Sequence, residues 1–503
     1  MANKRQRKNP ASSILAAMKR DSCLSAALLA GCLSGIWPAG SVLATPPPAA
    51  VQTVADTNKP AASAGFFDGI KRRSYLLGDM WGLRPLLSQH GVSLTILETS
   101  EVLGNVSGGA KQGFAYDGLT QVVLQMDTQR AFHLYGGTFN ISALQLHGDN
   151  LSAQNLLTLQ TASGIEADRS TRLWELWYQQ KFLEEDRLDV KIGQQSLDQE
   201  FMVSQNAGLF VNTMFGWPML PSADLPGGGP AYPLSAPGIR LRARPINSLT
   251  LMAGVFSGSP VVNNAGDPQQ QNPSGTSFPL NNGALVIAEM QYSFPALGSM
   301  VYSGRSETLA GVYKLGFWYD TEFFADQEYD NNGLSLANPS NSGIPETHHG
   351  NYAVYGVMDQ MIWRDPTDED GDRAINFFTR VMGTPDEDRN LIDFSLNAGF
   401  TFHEPIYHRD DDTCGLGMGL AKVGNHAAGL DKDTGYYTAA TYPVRSEEVF
   451  LEATYQYQLT AWCQIQPDFQ YVFNPGGGIF NPNFPGQRVK DEAVVGLRLN
   501  VLF

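Results

Sequence analysis

The sequence predicts an all-β fold: an antiparallel barrel, closed on itself and spanning a membrane. Three observations carry that prediction. Apolar and polar residues alternate with period 2, segment after segment, from Val92 to the end of the chain. No uninterrupted apolar run of about 18 residues follows the N-terminal stretch, so no transmembrane helix is indicated there. The last segment puts Ala493, Val495, Leu497, Leu499, Val501 and Phe503 on one face and Gly496, Arg498 and Asn500 on the other. A closed barrel pairs its backbone between neighbouring strands, so alternating segments of about 10 residues are enough to cross hydrocarbon.

Residues 1–44 read as a secretory signal. Lys4, Arg5, Arg7, Lys8, Lys19 and Arg20 form a basic leader, Cys23 to Trp37 is apolar or small, and Val42-Leu43-Ala44 offers a cleavage site. Leu29-Ala30-Gly31-Cys32 is the rival, a lipoprotein-type box that would lipidate Cys32. Apolar character continues to Leu43, which favours cleavage after Ala44. Losing six basic residues and Asp21 takes the net charge from −16 to −21. So acidic a chain is a poor match for nucleic acid, which needs a basic face. Residues 45–65 are rich in Ala, Pro, Thr and Ser and read as a flexible lead-in. Within 66–91, Leu76, Leu77, Trp81, Leu83, Leu86 and Leu87 fall at near-helical spacing, predicting a short periplasmic helical segment broken by Gly82 and Pro85. The barrel is assigned to 92–503.

Alternation then justifies the strands in order. Thr120, Val122, Leu124 and Met126 interleave with Gln121, Gln125 and Asp127; Phe139, Ile141 and Ala143 with Asn140 and Ser142; Leu188, Val190 and Ile192 with Asp189 and Lys191. Ile239, Leu241 and Ala243 alternate with Arg240, Arg242 and Arg244, and Tyr313, Leu315, Phe317 and Tyr319 with Lys314, Trp318 and Asp320. Leu451, Ala453, Tyr455 and Tyr457 alternate with Glu452, Thr454 and Gln456. A soluble sandwich can alternate too. Apolar faces ending in Tyr, Phe or Trp, and polar faces mixing Arg, Asp, Asn and Gln, favour a membrane girdle around a polar lumen. The Gly/Pro/Asn-rich stretches 202–237, 257–283 and 326–350 read as long external loops.

Cys414 and Cys463 could form one disulfide in an exported chain. The acidic runs Asp365–Asp372 and Asp410–Asp412 could hold Ca²⁺, although such runs are more often solvated turns. His348-His349 reads as loop surface, and no metal site or cofactor is assigned.

Family resemblance rests on ordered motifs. Gly78-Asp79-Met80-Trp81-Gly82-Leu83-Arg84-Pro85, Glu101 through Gly109, Leu176-Trp177-Tyr178-Gln179-Gln180 and Lys191-Ile192-Gly193-Gln194 come first. Glu452-Ala453-Thr454-Tyr455-Gln456-Tyr457-Gln458, Gln466 through Val472 and Asn474-Pro475-Gly476-Gly477-Gly478 follow. The chain from about 76 to 503 resembles the carbohydrate-selective (OprB-type) porins, departing at Met80, at Cys463 and over 45–65. The amphipathic last strand closing on Phe503 is similar to the terminal signature of outer-membrane barrels. The resemblance implies a 16-stranded barrel in the outer membrane of a Gram-negative bacterium, passing monosaccharides such as glucose into the periplasm. Its implied partners are carbohydrate solutes, outer-membrane lipid and lipopolysaccharide, and the barrel-insertion machinery reading Phe503; the implied assembly is a monomer or homotrimer.

A diffusion pore needs no nucleophile. It needs polar groups that replace some of a solute's hydrogen bonds without holding it. Parity places Arg240 and Arg242 inward, since arginine on the lipid face costs about 2–4 kcal/mol at the midplane. Glu175, Trp177, Gln179 and Lys181 share the inward face of their strand, opposite Trp174, Leu176, Tyr178 and Phe182. The constriction candidates are therefore Arg240, Arg242, Trp177, Glu175 and Glu101, with the arginines and carboxylates for hydroxyls and the indole for a sugar's C–H face. Each could instead be part of the structural wall. A general or anion-type porin is the nearest alternative, and the chain carries only 34 Lys and Arg. A barrel enzyme is less favoured, because none of its eight histidines falls in a spacing that marks a catalytic set.

Overall fold

The computed structural model describes residues 69–262, 266–295, 309–367 and 373–503. The signal, the lead-in and Asp368–Asp372 fall outside them. Sixteen strands close into one antiparallel barrel. They are β1 (Val92–Gly109), β2 (Gly113–Asp127), β3 (Gly137–Gly148), β4 (Ser170–Phe182), β5 (Leu188–Gln195), β6 (Ala236–Ile246), β7 (Leu249–Ser257) and β8 (Ala284–Phe294). The second half holds β9 (Gly311–Asp330), β10 (Pro345–Arg364), β11 (Ala374–Gly383), β12 (Ile392–His403), β13 (Thr413–Val423), β14 (Glu447–Thr460), β15 (Cys463–Phe473) and β16 (Lys490–Leu502). Every strand pairs with its sequence neighbours, and β16 returns to β1 with Leu97 opposite Leu502 and Glu101 opposite Arg498. The Phe503 N–H donates to Ile96 O at 2.9 Å, extending the seam by one residue. No helix among the described residues is long and apolar enough to cross a membrane.

Period-2 geometry sorts the side chains. Phe114, Ile141, Ile192, Ile239, Leu241, Leu315, Phe317, Leu416, Leu451 and Leu497 point outward and are exposed, an apolar belt that suits lipid. Arg240, Arg380, Glu452 and Arg498 point inward and are buried. One strand departs from strict parity. Ser142 lies opposite Glu175 and Ala143 opposite Leu173, so a bulge leaves Trp174 between them. Trp174 was expected on the lipid face; the bulge turns it inward, edge-on to Tyr232 with ring centroids 6.4 Å apart.

Other expectations are corrected. The 326–350 loop is shorter than expected, because β9 runs to Asp330 and β10 begins at Pro345; residues 331–344 connect them, and His348 and His349 sit in β10. The 202–237 loop does not stand outside; it folds into the lumen. Pro85 does not break the N-terminal helix. It lies in the first turn of α1 (Leu83–Gln89), where its missing N–H leaves no bond unmade. This segment docks at the short-turn rim: Leu76 N donates to Leu502 O at 2.9 Å, and Trp462 Nε1 to Ile70 O at 2.8 Å. Cys414 and Cys463 are both free. They begin β13 and β15, so β14 separates them by two inter-strand spacings of about 4.8 Å, beyond disulfide reach.

Candidate functional site

Two connections from the opposite rim, the one with the long connections, enter the barrel: residues 149–169 and 196–235. The second carries Phe201, Met202, Leu209, Phe210, Met214, Phe215, Trp217 and Leu220, all buried, and the short helix α2 (Met219–Asp224). Without an apolar partner these side chains would be stranded in water. The wall supplies one, because Met252, Phe256, Ile287, Trp318, Phe378 and Phe450 face inward where parity alone would favour polar residues. Phe210 and Phe215 stack at 4.3 Å between centroids, and Phe215 meets Phe450 edge-on at 5.4 Å. On β13 the inward positions Gly415, Gly417 and Gly419 let those rings approach. A Cβ on Gly417 would stand 2.6 Å from Phe215 and 2.8 Å from Phe210.

The insert is fastened by wall side chains that bind its main chain. Asp359 on β10 accepts from Ser204 Oγ at 2.6 Å and from the N–H groups of Gln205 and Asn206 at 3.2 Å. Glu289 on β8 accepts from Met202 N at 2.8 Å. Glu452 on β14 takes Val211 N at 2.6 Å and Asn212 N at 3.0 Å. Arg380 on β11 donates to Met202 O at 2.8 Å and Gly216 O at 2.9 Å, and also reaches Met214 O. Glu448 anchors the other insert, accepting from Leu159 N at 2.8 Å and Gln160 N at 2.7 Å. Each pairs a buried acidic or basic side chain with backbone dipoles, so the desolvated groups are satisfied on both sides. Sequence reasoning missed these residues. Glu452 lay within a motif, and the alternating glycines of β13 were legible, but neither announced a partner far away in the chain.

The five constriction candidates all face inward, in two groups. On β4 to β6, Arg240 is fully buried between Asp189 and Glu200, with Nη2 2.9 Å from Glu200 Oε1. Lys191 Nζ lies 2.8 Å from the same oxygen and 4.1 Å above the Trp177 ring centroid. Burial alone would raise the Glu200 carboxyl, but Lys191 and Arg240 overcome it and hold it below the usual carboxylate range. Trp177 is only 3% exposed, so its face is covered by Lys191 rather than open to a solute. Glu175 is buried too and accepts from Ser196 N at 3.2 Å, where the insert begins. Arg242 differs. Its side chain is 21% exposed and reaches Asp189 Oδ2 through Nε at 2.7 Å, leaving both terminal nitrogens without a hydrogen bond among the described residues. The second group, on the β1/β16 seam, has Glu101 buried between Arg498 and Ser163, whose Oγ lies at 2.5 Å. Glu101 thus joins the wall to the first insert.

Of the acidic runs, Asp412 is committed locally. It binds Arg409 at 2.6 Å, the Tyr455 hydroxyl at 2.7 Å and Gln458 N at 3.0 Å.

A sixteen-stranded barrel with an apolar outer belt and a lumen narrowed by inserts defines the class: a porin. The particular family follows from comparison. The profile of the "Carbohydrate-selective porin, OprB family" matches residues 111–503, and the chain belongs to that family. It is 24% identical over 463 residues to "Porin B" of Pseudomonas aeruginosa, covering 85% of this chain and 91% of that one. It is 22% identical to the "Putative porin QuiX" of Acinetobacter baylyi, covering 86% and 93%. The high-pH structure of Pseudomonas putida OprB shares the fold, with a TM-score of 0.73 at 21% identity over 86% of this chain and 99% of that one. The protein is a sugar-selective porin of a Gram-negative outer membrane.

Proposed function

We propose that the pore passes monosaccharides such as glucose by passive diffusion, with no catalytic step, through a constriction formed where the inserts narrow the lumen. Arg242 is the group that meets the solute. The observation that carries this is its open guanidinium: a planar fork whose free donors suit vicinal hydroxyls. Arg240, Lys191, Glu200 and Asp189 hold that fork in place, and Trp177, Glu175 and Glu101 hold the wall and inserts around it. Contacts are weak, since a pore that binds tightly passes little. The apolar belt sits in lipid and lipopolysaccharide, the terminal strand through Phe503 engages the insertion machinery, and the barrel acts as a monomer or homotrimer.

Exposed arginine also favours anions, so the test sets the two against each other. Glucose and chloride fluxes are compared in proteoliposomes holding wild type or Arg242→Ala. A fall in the glucose-to-chloride ratio supports the sugar reading. A loss of chloride flux alone supports an anion pore, and an unchanged ratio removes Arg242 from the solute path.

A further inference from the structure

Where β9 and β10 extend toward the rim of the long connections, two histidines converge on one carboxylate. Asp326 on β9 is nearly buried. His348 on β10 puts Nε2 2.9 Å from its Oδ2. His426, on α3 (Asn425–Thr438), puts Nδ1 3.5 Å from its Oδ1. Glu346 stands two residues before His348, hence on the same face of β10. One donor atom each from Asp326, Glu346 and His348 lie within 4.8 Å of one another. Further anions crowd in: Glu328 lies 3.8 Å from His426 Nδ1, and Asp388 lies 3.7 Å from His348 Nδ1. The nearby Arg389 is spent on Asp388 at 2.8 Å and Gly350 O at 2.6 Å. With Asp388 paired to Arg389, three carboxylates remain beside the two imidazoles, an excess of negative charge that a divalent cation would reduce.

We propose that Asp326, Glu346 and His348 bind one divalent transition-metal ion of the zinc class, with His426 orienting Asp326 through its other oxygen. An imidazole nitrogen beside carboxylates suits Zn²⁺, Ni²⁺ or Co²⁺, whereas Ca²⁺ and Mg²⁺ prefer oxygen throughout. Zinc bonds of about 2.0–2.2 Å require the three donors to close by rotamer changes, and the ion takes the place of the proton between His348 and Asp326. The bound metal would tie β9 to β10 and, through His426, fix α3 at the mouth. None of these residues is among the constriction candidates. Its residues come from positions 326, 346, 348 and 426, too dispersed for any short spacing to reveal them.

The test uses the purified, detergent-solubilised full chain, stripped with a chelator and desalted. Zn²⁺ binding is read by calorimetry and Co²⁺ binding by visible absorption. We expect one equivalent, weakened at least tenfold by His348→Ala and by Glu346→Gln. His349→Ala, whose exposed ring packs on Phe323 at 5.1 Å, should bind as wild type does. Heat-modifiable migration checks that each variant is folded. Glu346 is exposed, so its variant decides alone should His348→Ala misfold. No saturable binding by folded wild type, unchanged affinity in the deciding variant, or preference for Ca²⁺ over Zn²⁺ would overturn the proposal.

Discussion

Arg240 and Arg242 lie two positions apart on one face of β6, and burial divides their roles. Removing Arg240 takes one cationic partner from each of two buried carboxylates, leaving Asp189 to Arg242 alone and Glu200 to Lys191 alone. Breaking a buried pair outright costs about 3–5 kcal/mol, and the remaining partners offset part of that, so we predict that Arg240→Ala lowers the unfolding temperature of the barrel and its yield by a smaller but measurable amount. Arg242→Ala should leave both near wild type and change solute discrimination; equal thermal shifts in the two variants would sink this division. Glu166 gives a pH prediction. Burial, reinforced by the neighbouring Asp117 charge, pushes its carboxyl up to about 8 from an ordinary 4.5. The folded state therefore holds a proton that the unfolded state releases. The stabilisation is complete below about 4.5 and is lost as pH rises through about 8. Hydrogen exchange of residues 149–169, corrected for intrinsic rates, should show opening that increases from pH 5 to 9 in wild type and stays flat in Glu166→Gln. Parity was legible at this scale, because arginine cannot rest in lipid. Burial was not: whether Trp177 is open or capped depends on Lys191 and Glu200, which only the folded insert brings together.

At the scale of elements, the strands were legible because a half-buried strand imposes period 2 on its sequence. The insert 196–235 was not. Its apolar residues are buried on all sides by a curved wall, so they follow no period, and its Gly and Pro residues read as a surface loop. The bulge at Trp174 was hidden for a related reason, since one extra residue reverses parity without a compositional mark. Two variants probe the seating of the insert. Gly417→Val places branched carbon against Phe210 and Phe215, and overpacking of this kind costs about 1–3 kcal/mol. Glu452→Gln keeps the shape but replaces one of the two oxygens that receive Val211 N and Asn212 N with an amide nitrogen that cannot accept. We predict larger or noisier single-channel conductance in both, with unchanged β content by circular dichroism. Conductance identical to wild type in both would mean that the insert is held elsewhere.

For the whole molecule, closure depends on the β1/β16 seam, and Phe503 adds its last hydrogen bond, to Ile96 O at 2.9 Å. Deleting Phe503 should reduce heat-modifiable barrel in the outer membrane several-fold; equal amounts from both versions would refute this. The mode by which the insert is attached to the barrel wall has a consequence over longer times. Asp359, Glu289 and Glu452 grip the insert largely by peptide N–H groups, and a peptide N–H is present whichever non-proline residue carries it. Side chains on the insert that do not pack against the wall can therefore be exchanged without loosening its seat. The strands form a durable frame and the insert a replaceable cassette, so descendants of this chain can shift solute preference by substitution within 196–235 while inheriting the barrel intact.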